Sequence, residues 1–171
     1  MGEAQSTLLS LAEVSIALAG FSAIVVVLKR GVEGKWSALH ADQFNGMVIH
    51  AIFAVVFCLL PLLLNILVQD VSTTFHILCA VMGAQIIVHS FGVMLLNTTS
   101  KIARISLAFG ALIGITQFMV FTDWGVQREY EIYLAGIVWH ILQAGLLFVM
   151  LVWIPSRLIE GEPGEVESDS Q

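Results

Sequence analysis

Four long stretches of this chain contain no Asp, Glu, Lys or Arg: residues 43–69, 71–100, 105–122 and 132–156. A helix rises about 1.5 Å per residue, so about 20 mostly apolar residues cross a bilayer core of about 30 Å. Residues 8–28 add a fifth apolar stretch with a single charge, Glu13. The pattern therefore predicts an all-α membrane protein, a bundle of five transmembrane helices over about residues 8–28, 44–68, 74–96, 102–122 and 132–154. The alternative is four spanning helices with the Glu13 segment lying in the interface as an amphipathic helix. The length of that segment and its lack of a charged face argue against it. The chain is 58 % hydrophobic and 12 % charged, against about 25 % charged for a soluble domain. Residues 1–158 are thus read as one transmembrane helical domain. The acidic tail, 159–171, has no apolar periodicity and is expected to be disordered.

The basic residues set an expected orientation. Lys29, Arg30 and Lys35 follow the first span, Lys101 and Arg104 the third, and Arg157 the fifth, whereas the opposite side has only Arg128. The positive-inside rule then puts the C-terminus in the cytoplasm and the N-terminus outside. No Lys or Arg precedes Lys29, so the first segment lacks the basic start of a cleaved signal peptide and is expected to stay. No basic patch supports nucleic-acid binding. Cys58 and Cys79 fall within spans and read as small packing residues. Pro61 falls inside the second span, where it removes a backbone donor and predicts a kink. Residues 37–45 read as a short interfacial helix leading into that span.

Tight helix contacts in lipid come from small residues and shared hydrogen bonds. On the first span Ala12, Ser15, Ala19 and Ser22 share a face, and Glu13, Ala17 and Gly20 form the adjoining stripe. Two readings of Glu13 stand. Ser10-x-x-Glu13 fits a capping box, with a helix starting at Leu11. Otherwise Glu13 is an intramembrane acid paired with another helix. Gln117 aligns with Ser106, Gly110 and Gly114, and His140 with Gly136, one turn from Gln143. Counted from the basic side, Glu13, Gln117 and His140 lie at a common depth of about 21–23 Å. This predicts a polar layer shared by spans one, four and five, with a Glu13–His140 pair in it.

A second layer, about 9–11 Å deep, is expected from His50 and His89, with Gln85 one turn from His89. Two histidines at one level on neighbouring helices could ligate haem b or hold a quinone headgroup. They could equally be buried histidines satisfied by polar neighbours. Gly110-x-x-x-Gly114 marks packing either within the subunit or between copies.

The run Ala12-Glu13-Val14-Ser15-Ile16-Ala17-Leu18-Ala19-Gly20-Phe21-Ser22-Ala23-Ile24-Val25 resembles the opening helix of small uncharacterised bacterial multi-pass inner-membrane proteins. The resemblance implies a bacterial inner membrane and assigns no activity and no functional residue.

The chain has no Walker loop, no G-x-S-x-G, no H-E-x-x-H and no Cys/His cluster. No catalytic residue and no metal site is therefore expected. The leading expectation is a non-enzymatic membrane module without a cofactor, acting as a homo-oligomer or with other membrane subunits, pore formation included. The alternative is a redox subunit binding haem b or quinone through His50, His89 and Gln85. A third is a small proton-coupled transporter that titrates Glu13.

Overall fold

The computed structural model describes residues 2–33, 38–95, 101–122, 124 and 128–153. They form five helices: α1 (Gly2–Glu33), α2 (Ala38–Val68), α3 (Val71–Leu95), α4 (Lys101–Phe121) and α5 (Glu129–Trp153). Each is long and apolar enough to cross a membrane, and the chain is a multi-pass membrane protein. The expected disordered tail, 159–171, lies outside the described residues. Large apolar side chains such as Ile24, Leu63, Leu67, Val88, Ile105 and Leu142 stand outward, as lipid-facing positions do.

Two helix starts differ from expectation, and both matter for the site. The capping-box reading of Ser10 and Glu13 fails, because α1 begins at Gly2 and Ser10 is already in its interior. The expected interfacial helix 37–45 does not exist as a separate element; its described residues are the first turns of α2. In both cases continuing helix satisfies backbone groups that a break would expose to lipid.

α5, not α1, is the hub of the bundle, since it packs against each of the other four helices. It buries Tyr133, Gly136, Ile137, Trp139, His140, Ala144 and Leu151, which spread over more than one face. α1 buries only a seam of Leu8, Ala12, Ser15, Ser22 and Val26, with Ala19 half-buried. Those steps of three and four follow a 3.5-residue repeat, which fits one neighbouring helix. α1 accordingly lies mainly on α2 and less on α5. Ser15 and Ser22 donate their hydroxyls to the Leu11 and Leu18 carbonyls of their own helix, so they pack as small residues and hold no neighbour by hydrogen bond.

α3 and α4 cross backbone to backbone at Gly83 and Gly114. A Cβ on Gly83 would lie 3.0 Å from the Gly114 carbonyl oxygen, and one on Gly114 would lie 3.1 Å from the Gly83 oxygen. Gly110 receives the indole of Trp139 from α5, whose Cε2 would stand 2.7 Å from an added Cβ. Of the two uses expected for Gly110-x-x-x-Gly114, the structure shows packing within the subunit.

Candidate functional site

Three helices bring three histidines together in the middle of the bundle. His50 on α2 and His140 on α5 meet Nδ1 to Nδ1 at 3.0 Å, and His140 Nε2 lies 3.0 Å from Gln85 Oε1 on α3. The His89 ring stands edge-on to His50 with ring centres 4.7 Å apart. Trp139 packs against His50, His89 and His140, while Phe53 and Phe57 cover the other side of His140. His50 and His140 are buried.

With the rings neutral, the bonding pattern selects one set of tautomers. The Gln85 carbonyl oxygen only accepts, so His140 Nε2 carries a proton and donates. In the neutral ring His140 Nδ1 is then the acceptor, and His50 Nδ1–H donates to it. The cluster is a neutral donor chain running from His50 through His140 to Gln85. It ties α2, α5 and α3 at one level with directional bonds, beside the van der Waals packing that also holds helices together in lipid.

The expected two layers are thus one, and His140 belongs to the second. The helix ends do not share one level: His89 lies only six residues, about 9 Å, from the end of α3, yet its ring meets that of His50. With α2 beginning at Ala38, His50 lies twelve residues from that end, about 18 Å, and His140 lies thirteen residues from the end of α5, about 20 Å. Starting the second span at residue 44 had placed His50 too shallow by six residues, about 9 Å.

The expected Glu13–Gln117–His140 layer does not form. Glu13, Ala17 and Gly20 are exposed on the outer face of α1, and α1 makes no extensive contact with α4. The expected Glu13–His140 pair is replaced by the bonds of His140 to His50 and Gln85. Gln117 is fully buried; its Nε2 donates weakly to the Ile132 carbonyl at 3.5 Å and it fills the space that Gly136 leaves open. Gln143 donates to the Ser106 hydroxyl, a separate bridge between α5 and α4.

A haem does not fit between His50 and His89. Axial ligands on opposite sides of a metal hold their nitrogens about 4 Å apart, pointing at each other across the porphyrin plane. Here the rings are in edge contact at 84° and His50 Nδ1 is bonded to His140. His50 Nδ1, which would have to serve a quinone carbonyl, is likewise bonded to His140. Among the described residues, no three His, Cys, Asp or Glu are placed to hold one metal ion.

Several residues that sequence reasoning passed over complete the site. Tyr133, fully buried on α5, donates its hydroxyl to the Phe57 carbonyl at 2.6 Å. Pro61 has no N–H for that carbonyl four residues back, so the proline itself signalled the need for a donor from elsewhere. Trp139 gave no signal beyond its size. Gln43 is buried on α2 with neither amide atom partnered.

The two ends of the bundle are closed differently. At the basic end Lys29 Nζ donates to the Leu151 carbonyl at 2.7 Å and approaches His40 Nε2 at 3.4 Å. A cation at the C-terminal carbonyls of α5 is favoured by the helix dipole. At the other end Gln69 turns the chain with φ 56°, and Asp70 caps α3 by accepting the Thr73 N–H at 2.7 Å. Hydrogen bonds from the Thr73 side chain and backbone hold the Asp70 carboxyl below the usual carboxylate range. His76 lies beside Glu129 at 3.9 Å, and Ser72 donates to the same carboxylate.

No protein-family model matches the chain, and no curated protein or solved structure is significantly similar to it.

Proposed function

We propose that this chain is a non-enzymatic membrane module that works as a homo-oligomer, with the outer face of α1 as the contact between copies. The observation that carries the reading is Glu13. It stands on the outward side of α1, in line with Ala17 and Gly20, and an added Cβ on Gly20 would meet nothing within 4 Å. It is five residues from Leu8, where the apolar stretch begins, and sixteen from Lys29, about 8 Å and 24 Å along the helix, which puts it in the outer part of the apolar layer. An acid facing lipid there is disfavoured unless it is protonated or paired. A second copy related by a two-fold axis would bring its own Glu13 to the same place, where the two carboxyl groups share a proton. Ala17 and Gly20 let the backbones approach closely enough for that bond.

The histidine cluster serves this module as an internal lock that keeps α2, α3 and α5 in register. The distribution of basic residues supports placing the Lys29 end in the cytoplasm, and the resemblance of the first helix supports an inner-membrane location.

Native mass spectrometry of protein released from nanodiscs tests the proposal. A closed oligomer that weakens with Glu13→Gln and dissociates with Gly20→Leu is the expected result. A bare monomer for the unaltered chain would overturn it.

A further inference from the structure

Among the described residues, Gln43 is the buried side chain whose amide has neither its nitrogen nor its oxygen satisfied. It is 4 % exposed. An amide enclosed in an apolar bundle without a partner is strongly disfavoured unless water fills the gap.

Its surroundings say where that water would come from. His40, Gln43, Met47 and His50 follow steps of three, four and three along α2, and all four are buried. Gln43 is about 4.5 Å along the helix from His40 and about 10.5 Å from His50. His40 adjoins Lys29, at the polar end of the bundle. On the other side of Gln43, Met47 packs with Ala51 and Ala144, and half-buried Leu18, Phe44, Leu147 and Phe148 close around them. Met47 therefore stands between Gln43 and His50 on that face of α2, closed in by these side chains. Beyond the histidines the interior is filled by Phe57, Cys58, Leu78, Tyr133 and Ile137.

We infer that Gln43 holds an internal water site that opens toward the Lys29 end and reaches as far as Met47, one turn along α2. The amide donates to one water through Nε2 and accepts from another through Oε1. The site belongs to the monomer, so it stands or falls independently of assembly through α1.

Radiolytic hydroxyl labelling of the intact protein in nanodiscs tests this, because labelling inside a bundle requires water beside the labelled side chain. Met47 and Cys58 are both 0 % exposed, so a dry interior protects both. The expected result is oxidation of Met47 with Cys58 protected, and loss of the Met47 label in Gln43→Leu. That variant removes an unsatisfied amide and is expected to fold, which its thermal midpoint checks. Equal protection of Met47 and Cys58 in the unaltered chain would overturn the inference. So would a Met47 label that Gln43→Leu leaves unchanged.

Discussion

The hydroxyl of Tyr133 donates to the carbonyl of Phe57 at 2.6 Å, and it does so because Pro61 leaves that carbonyl without its helical donor. A proline in a spanning helix is tolerated where a neighbouring helix supplies the missing bond. α5 supplies it here, from a side chain that is fully buried.

Tyr133→Phe leaves the Phe57 carbonyl unsatisfied, at a cost of about 1–3 kcal/mol. Pro61→Ala restores the backbone donor, so the same tyrosine change should cost much less in that background. A double-mutant cycle by denaturant unfolding in detergent measures the coupling. Two costs that simply add would show that Tyr133 does not act on the Pro61 gap.

The histidine cluster should show strong non-additivity. His140→Leu deprives both His50 and Gln85 of a partner, and each buried polar group left unsatisfied costs roughly 1–3 kcal/mol. Adding His50→Leu removes one of those unsatisfied groups. The double variant is therefore expected to be no less stable than His140→Leu alone, as read by the same unfolding measurement. A double variant that loses the full sum would mean that the two rings contribute through packing alone.

Two glycines of similar sequence context should separate sharply. An added Cβ on Gly114 would lie 2.7 Å from Ile87 Cγ1 and 3.1 Å from the Gly83 oxygen, so Gly114→Ala pushes α4 from α3 at about 1–3 kcal/mol. Gly20→Ala meets nothing within 4 Å and should leave monomer stability unchanged. Thermal midpoints of both variants in detergent check the contrast.

Asp70 predicts an acid-side loss of stability. Its carboxyl is held below the usual range by Thr73, so the cap is fully present above the unfolded carboxylate pKa, near 4. Its contribution falls as pH drops through the lower folded value. Asp70→Asn keeps a capping side chain that does not titrate. In that variant the acid limb of the stability curve should flatten, measured by unfolding across the acid range.

The sequence by itself determined the number of helices, their apolar character and the small-residue seam of α1. These follow from charge-free length and from 3.6-residue periodicity, which are local properties. It also pointed to His50, His89 and Gln85 as one group, because they lie on helices joined by the short turn at Gln69 and Asp70. What only the tertiary structure decided is which helix is central, and that His140 and not Glu13 completes the polar cluster. Depth along a helix depends on where the helix begins and how the helices are shifted against one another, and only the packing brings His50 level with both His140 and His89. Rotation likewise turned Glu13 outward while its neighbours Ala12 and Ser15 faced in. Adjacent stripes on one helix differ by a single residue step, and only the packing of α1 on α2 selects between them.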